Sequence, residues 1–204
     1  MGLKAKKALA SFCRELASDS PSPGGGTASA AAGAMGASLL AMVCGVTAKS
    51  KKHAKDAPAL RKLGRRLERL GDDLITLAAR DADAYDKVVV AFRKRRAHET
   101  AETSKGVETA LVRAADVPML TAKACIEILD LSQAVARLGT KSASSDVGVA
   151  VLLANAGFNG AAMNVQINLE GLKDQARARR MAKSLSALES RASRLARSAL
   201  EKLG

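Results

Sequence analysis

A loop rich in proline and glycine runs directly into a long segment of small residues, and this junction constrains the fold more than any other feature of the chain. The loop covers residues 20–27 and holds two prolines and three consecutive glycines, and residues 28–38 are alanine, glycine and serine with one methionine. Such a loop excludes the interior of a regular element, whereas the small residues after it predict a closely packed helix. Free N–H groups and the positive end of the helix dipole meet at a helix N-terminus, which makes the loop a candidate ligand site. Its candidate binding residues are Gly24, Gly25, Gly26 and Thr27.

The spacing of apolar residues is helical over nearly the whole chain, and no strand-like alternation of any length occurs. With 204 residues, 48% of them hydrophobic, the chain can bury one substantial core, so we predict a single domain over residues 1–204. Pro118 is expected to start a new helix, because proline is favoured in a first helical turn. The expected architecture is an all-α bundle of about seven helices, close-packed through its Ala/Gly-rich members, at residues 3–18, 25–48, 57–97, 100–115, 117–138, 145–163 and 170–202.

Cysteine usage and the longest apolar run indicate the environment of the chain. Cys13, Cys44 and Cys125 are an odd set at wide spacing, which supports neither a disulfide framework nor a metal site. We interpret all three as small buried hydrophobes in a reducing cytoplasm. Residues 24–48 reach membrane-spanning length, but their alanine, glycine and serine content favours a core helix over a transmembrane one.

The formal net charge is +13, and lysine and arginine cluster at residues 49–66, 93–96 and 177–202. Nucleic acid is one partner that such a field attracts. However, an aromatic content of 2% without tryptophan leaves little for base stacking, which argues against nucleic acid. A solvated basic surface is the other interpretation, since charge runs on amphipathic helices usually face water.

Two aspartates within residues 80–85 are candidate catalytic groups. Asp81 and Asp83 lie two residues apart, so on a helix they point about 200° away from each other and cannot form a carboxylate pair. Asp81 interrupts an apolar stripe over residues 67–91, which predicts either a hydrogen-bonded core carboxylate or a functional one. Asp83 has basic residues three positions before it and four after it, a spacing typical of a surface ion-pair network.

Two further segments place polar groups among small apolar residues. Ser145 and Asp146 suit an N-cap and a first helical turn, and capping alone explains them. Residues 164–169 read Asn-Val-Gln-Ile-Asn-Leu, for which we predict a local helix break. The amides of Asn164 and Asn168 there either bind a heterocycle or hold exposed backbone groups, and spacing does not choose between these roles.

In combination these segments resemble the cyclodeaminase/cyclohydrolase family of tetrahydrofolate enzymes. That family includes the cyclodeaminase half of formiminotransferase-cyclodeaminase and free-standing methenyltetrahydrofolate cyclohydrolases. Any one motif is weak, but six in the family's order along nearly the whole chain are strong: PGGGT at 23–27, 42–47 with Lys51-Lys52, DADAY at 81–85, Val117-Pro118, SDVGVA at 145–150 and NVQINL at 164–169.

The resemblance implies an all-α homodimer with clefts near its interface and without a metal or redox cofactor. The leading activity is hydrolysis of 5,10-methenyltetrahydrofolate to 10-formyltetrahydrofolate, because 204 residues leave no room for an attached transferase domain. The alternative is formiminotetrahydrofolate cyclodeaminase, which releases ammonia and gives the methenyl compound. A non-catalytic basic helical binding protein is the third reading, and retention of Asp81, Asp83 and Asp146 argues against it.

The resemblance also assigns roles to residues. The acidic motif would supply the catalytic carboxylate, for which Asp83 is favoured, with Asp81 as its structural or orienting companion and Asp146 as a third candidate. The glycine loop is expected to bind substrate together with Ser145, Asn164 and Asn168. The basic surface would attract the polyglutamate tail of intracellular folates through Lys51 and Lys52.

Three positions depart from the family's usual residues. Thr140 stands where asparagine is usual, Lys49 where glycine is common, and His53 where an aromatic residue often stands. Loss of the amide at Thr140 removes a donor and an acceptor from a pterin or loop contact. The preferred substrate is therefore left open, whereas the expected fold is unaffected.

Overall fold

The computed structural model describes residues 2–203, which form six α-helices and no strand. Two short 3₁₀ turns, Lys51–His53 and Lys141–Ala143, precede the third and fifth helices. The predicted all-α bundle is confirmed, with one long helix fewer than expected. The helices are α1 (Leu3–Leu16), α2 (Gly25–Lys49), α3 (Ala57–Ala97), α4 (Ala101–Leu138), α5 (Ser144–Glu170) and α6 (Gln175–Glu201).

The predicted helix boundary at Pro118 is wrong, because α4 runs through this residue without interruption. A proline inside a helix supplies no N–H to the carbonyl four residues earlier, which here is Ala114 O. The side-chain amide of Asn168 donates to that carbonyl instead, at 3.0 Å. A contact from another helix therefore compensates for the missing backbone hydrogen bond.

The predicted break over residues 164–169 is also wrong, since α5 continues to Glu170. Asn164 and Asn168 each donate a side-chain N–H to the carbonyl one turn back, Gly160 O and Asn164 O, both at 2.8 Å. These amides turn toward backbone groups of their own helix and leave its geometry intact.

Helix α2 lies at the centre of the bundle and packs against α3, α4 and α5. Glycine permits the closest of these contacts. A Cβ atom on Gly33 would lie 2.8 Å from Sγ of Cys125, and one on Gly157 would lie 2.7 Å from the carbonyl oxygen of Ser29. Cys125 belongs to α4 and Gly157 to α5, so α2 packs against both helices more closely than a larger residue at either glycine allows. This confirms the predicted close packing through Ala/Gly-rich helices.

Two segments are long and apolar enough by composition to cross a membrane: α2, with a mean hydropathy of 1.7, and residues 141–170, with 1.2. About half of the most apolar part of each is buried inside the bundle. Both helices supply residues to the core, including Leu40 and Val43 of α2 and Phe158 and Val165 of α5, which are fully buried. They are core helices of this fold.

The start of α5 is set by a tertiary contact. Among the described residues no side chain caps α5 at its N-cap Ala143, so the predicted capping is wrong, although Asp146 does occupy the first turn. Thr47, fully buried in α2, accepts a hydrogen bond from the backbone N–H of Thr140 at 3.1 Å. This bond anchors the turn before α5 to the central helix.

Helix α1 and one side of α2 leave apolar side chains uncovered. No residue of α1 is buried, so the prediction of three buried cysteines is wrong for Cys13, whereas Cys44 and Cys125 are buried as predicted. A groove of about 1050 Å³ runs along α2 with α1 and α3 as its walls. We call the exposed side of α2 the α2 outer face; it comprises Met35, Ser38, Met42, Gly45 and Val46.

Candidate active site

A cleft of about 250 Å³ lies at the N-terminal end of α2, where α3, α4 and α5 converge. We call it the glycine cleft, because Gly24, Gly25 and Gly26 form one of its walls. The fold thus brings the glycine loop, the acidic motif and the asparagine motif to one place. The remaining walls carry side chains from three helices: Asp81, Tyr85 and Val88 of α3, Ala114 of α4, and Asn164, Ile167 and Asn168 of α5.

Asp81 is the one acidic side chain among the described residues that line the glycine cleft. Its Oδ2 accepts a hydrogen bond from Oγ1 of Thr27 at 3.2 Å. Burial raises the pKa of Asp81, and hydrogen bonds from the hydroxyl and backbone N–H of Thr27 oppose this shift. A carboxylate with a raised pKa is a stronger base, which suits it to accept a proton from water.

Gly26 leaves the space that the carboxylate of Asp81 occupies beside the loop. A Cβ atom at Gly26 would lie 2.6 Å from Cγ of Asp81, so any larger residue would displace the acid. Thr27, in the first turn of α2, is buried beneath the same carboxylate. The helix N-terminus that the sequence offers as an anion site therefore already faces an anionic group of the chain itself.

Asn164 and Asn168 lie one turn apart on α5, and both line the glycine cleft. Their amide nitrogens donate to backbone carbonyls: Asn164 to Gly160 O, and Asn168 to Asn164 O and Ala114 O. Neither amide oxygen accepts a hydrogen bond from any residue within 2–203. Of the two predicted roles, the nitrogens therefore hold backbone groups, and the oxygens remain available to a ligand.

Asp83 and Asp146 lie outside the glycine cleft. The side chain of Asp83 is exposed on another side of α3, where it lines a groove of about 280 Å³ with Arg80, Lys87 and Arg113. Within the described residues it makes no ion pair, so the predicted ion-pair network does not form. Asp146 is half-buried and Ser145 is exposed, both in the first turn of α5. The prediction that Asp81 and Asp83 face apart is confirmed.

Lys51 and Lys52 are exposed in the turn beyond the C-terminal end of α2. Because α2 has 25 residues, they lie about 36 Å along its axis from the glycine loop of the same chain. Lys52 lines a cavity of about 740 Å³ whose charged lining is basic, with His53, Arg137, Lys141 and Lys202. A single chain therefore does not bring these lysines to the glycine cleft.

Tyr85 is a cleft residue that the sequence reasoning did not single out. It lies four residues after Asp81 on α3, and its partly exposed ring lines the same cleft. The i, i+4 spacing places two helical residues on one face, so this signal was present in the sequence. The ring provides an aromatic surface beside the carboxylate, and Ile167 provides an apolar one from α5.

Comparison with known proteins shows which family shares this architecture. The family model described as Formiminotransferase-cyclodeaminase matches residues 8–187. Methenyltetrahydrofolate cyclohydrolase of Methylorubrum extorquens is 40% identical over 182 residues, which cover 88% of each chain. Formimidoyltransferase-cyclodeaminase of Sus scrofa is 29% identical over 199 residues, which cover 97% of this chain and 37% of that protein.

The fold comparison agrees with these matches. The crystal structure of formiminotetrahydrofolate cyclodeaminase from Thermotoga maritima superposes with a TM-score of 0.87 and 27% identity, covering 100% of this chain and 96% of that one. The resemblance drawn from six short motifs is thereby confirmed over most of the chain. The chain belongs to the formiminotransferase-cyclodeaminase family.

Proposed function

We propose that the chain hydrolyses 5,10-methenyltetrahydrofolate to 10-formyltetrahydrofolate. One observation carries this proposal: the half-buried carboxylate of Asp81 lines the glycine cleft of a chain that is 40% identical to a methenyltetrahydrofolate cyclohydrolase. In the reaction water attacks the cationic carbon between N5 and N10, the bond from that carbon to N5 breaks, and one proton is released. A carboxylate stabilises the cation and accepts the proton of the attacking water.

Asp81 is the carboxylate that we propose for this step. Its support is its position beside Asn164 and Asn168 and the burial that raises its pKa. The preference for Asp83 drawn from the sequence resemblance stays a prediction, as does the candidacy of Asp146. Asp83 is exposed and contributes to a different groove, so in a single chain it would act on a different ligand position.

Formiminotetrahydrofolate cyclodeaminase is the second candidate activity. The solved relative from Thermotoga maritima carries that name and has the same fold. In this reaction N10 attacks the formimino carbon, and ammonia leaves to give the methenyl compound. The same carboxylate serves both reactions, because each passes through a tetrahedral carbon between N5 and N10. We disfavour a non-catalytic basic binding protein, because the candidate catalytic carboxylate of Asp81 is present and lines a cleft.

The two activities are separated by assaying the purified chain on each folate. We expect loss of methenyltetrahydrofolate absorbance faster than its spontaneous hydrolysis, and little ammonia release from 5-formiminotetrahydrofolate. The assay runs in EDTA with no added cofactor, because we propose that neither a metal nor a redox cofactor takes part. Ammonia release that exceeds methenyl hydrolysis would reverse the order of the two activities, and absence of both would reject the enzyme.

Substitution of the two aspartates identifies the carboxylate. Asp81→Asn is expected to lower kcat by at least about 100-fold, the usual contribution of a general base, because the amide cannot accept the proton of water. Asp83→Asn is the matched control, with the same change of charge two residues away. Substantial loss in Asp83→Asn with full activity in Asp81→Asn would return the role to Asp83.

We infer a homodimer formed through the α2 outer face. Met35, Met42 and Val46 are each more than 40% exposed there, and a cluster of exposed large apolar side chains favours coverage by a second surface. Positions 35, 38, 42 and 45 alternate spacings of three and four, which is typical of a helix-pair seam. Lysines cluster at the C-terminal end of α2, so a parallel pair would set two cationic clusters side by side. We therefore propose antiparallel α2 helices about a two-fold axis.

Antiparallel pairing explains how the predicted lysines can serve a folate in the glycine cleft. Within one chain, Lys51 and Lys52 lie about 36 Å along α2 from its glycine end. In the antiparallel pair, Lys51 and Lys52 of the partner subunit would lie near that end. We propose that they bind the negatively charged polyglutamate tail of the substrate. We also propose a cytoplasmic location, where polyglutamylated folates occur, and no membrane partner. Binding of the polyglutamate tail accounts for the net charge of +13, so we propose no nucleic-acid partner.

A further inference from the structure

Pro118 of α4 and Asn168 of α5 are connected through one backbone carbonyl, Ala114 O, beside the glycine cleft. Pro118 lies in the interior of α4 and is buried, with nearly five turns of helix on its N-terminal side, because α4 begins at Ala101. Because proline lacks an N–H, Ala114 O has no donor four residues later in α4. Asn168 on α5 supplies that donor at 3.0 Å across the helix interface. Ala114 and Asn168 both line the cleft.

The second hydrogen of the same amide fixes its orientation completely. Nδ2 of Asn168 also donates to Asn164 O, at 2.8 Å. A rotated amide would place Oδ1 against two carbonyl oxygens, which repel it and leave both unpaired. The nitrogen is therefore committed to the backbone, and Oδ1 is the only polar atom of Asn168 left for a ligand.

Asn164 repeats this arrangement one turn earlier. Its Nδ2 donates to Gly160 O at 2.8 Å, which leaves its own Oδ1 as the free polar atom. Four residues of α5 separate the two side chains, or about 6 Å along the helix axis. The α5 wall of the glycine cleft thus presents two acceptor oxygens, and Asp81 on α3 adds a carboxylate. A ligand that fits these walls offers N–H donors.

We propose that Asn168 determines substrate specificity by accepting a hydrogen bond from an N–H group on the heterocycle of the folate, and that Pro118 is the positioning residue that holds its amide in the accepting orientation. This proposal rests on the proposed folate chemistry of the cleft. The donor edge of a 2-amino-4-oxopyrimidine ring, with its amino group and adjacent ring N–H, matches such acceptors. Pro118 acts by leaving Ala114 O free for Asn168.

The test combines three variants with two ligands. Pro118→Ala restores an N–H that competes for Ala114 O, and Asn168→Ala removes the acceptor. We expect each to raise KM for methenyltetrahydrofolate by about tenfold, the scale of one hydrogen bond, while kcat stays close to wild type. The double variant should be no worse than Asn168→Ala alone, because both act through the same amide. Pro58→Ala, in the exposed first turn of α3, is the matched control and should leave both constants unchanged.

Ligand discrimination separates a binding role from a merely structural one. The second ligand is a folate whose 2-amino group is replaced by methyl, with binding measured by calorimetry. Wild type should bind it more weakly than the parent folate, and Asn168→Ala should lose most of that difference. Equal discrimination by wild type and Asn168→Ala overturns the specificity role. An unchanged KM in Pro118→Ala, with a raised KM in Asn168→Ala, overturns the positioning role. Wild type that turns over no folate instead refutes the proposed function itself.

Discussion

At the scale of single residues, the chemistry of this protein depends on what surrounds each carboxylate. Asp81 and Asp83 are two residues apart in one helix, yet one lies half-buried in the glycine cleft and the other is exposed. Gly26 allows the loop to close on Asp81, and Thr27 donates to it. Burial raises the pKa of Asp81 in spite of those hydrogen bonds. The raised pKa of Asp81 therefore comes from desolvation and not from a neighbouring charge.

The raised pKa of Asp81 predicts a pH-dependent effect on stability. A carboxyl group that holds its proton more tightly when folded stabilises the chain fully below its unfolded pKa of about 3.9, and this contribution is lost as pH rises through the folded pKa. Asp81→Asn abolishes that titration and keeps an acceptor for Thr27. We expect the Tm of wild type to fall relative to that of Asp81→Asn as the pH rises from about 4 to 7.

Thermal unfolding followed by circular dichroism at several pH values measures this difference. Asp83→Asn is the control for loss of one negative charge, because its side chain is exposed. A difference between wild type and Asp81→Asn that stays constant with pH, or that changes in the opposite direction, would show that burial does not govern this carboxyl group.

At the scale of helices, the close contact between α2 and α5 brings two of the cleft's walls together. The glycines at this contact leave space that neighbouring backbone fills. We expect Gly157→Ala to lower the free energy of unfolding by about 1–3 kcal/mol, since its Cβ would lie 2.7 Å from Ser29 O. Denaturant unfolding measures this change.

Gly106→Ala in α4 is the matched control for this contact. A Cβ at Gly106 meets nothing within 4 Å in the part of the chain that the structure describes, and the residue is exposed. Alanine is the better helix former, so this variant should be more stable than wild type by about 0.4–1 kcal/mol. Equal effects of the two substitutions would mean that α2 and α5 adjust their spacing freely.

At the scale of the whole molecule, the basic C-terminal end of α2 and the glycine cleft lie at opposite ends of that helix, about 36 Å apart along its axis in one chain. The proposed dimer joins them, and subunit mixing tests it. One subunit carries Asp81→Asn and the other carries Lys51→Ala with Lys52→Ala. After mixing equal amounts, about one quarter of all sites should regain both functions if the lysines act on the partner's cleft.

Turnover of a pentaglutamate substrate at low concentration reveals those restored sites. The mixture should regain a fraction of sites with the wild-type KM for the pentaglutamate. Added salt should remove the difference in KM between pentaglutamate and monoglutamate, because exposed charges are screened over about 8–10 Å. Met42→Glu should abolish the recovery and yield a monomer by light scattering, whereas Leu120→Glu, an equally exposed apolar site on α4, should not. If mixing restores no activity, so that Asp81 and the two lysines must belong to the same subunit, the proposed dimer arrangement is contradicted. If duplex DNA competes with the pentaglutamate substrate, the hypothesis that the basic surface binds nucleic acid is supported instead.

The sequence by itself determined the helical class of the fold, the glycine loop at the start of α2 and the opposite orientations of Asp81 and Asp83. These follow from local preferences: apolar spacing, the turn chemistry of proline and glycine, and the 100° step of the helix. Its six ordered motifs were also sufficient to indicate the family.

Only the tertiary structure decided that α4 continues through Pro118, that α5 continues past Asn168 and that Asp81 is the carboxylate of the glycine cleft. Each outcome depends on a contact with a residue distant in sequence. Asn168 donates to Ala114 O from another helix, and Thr27 and Gly26 meet Asp81 across more than fifty residues. Local propensity carries no information on such partners, because the hydrogen bond that replaces a missing backbone donor exists only after the helices have packed.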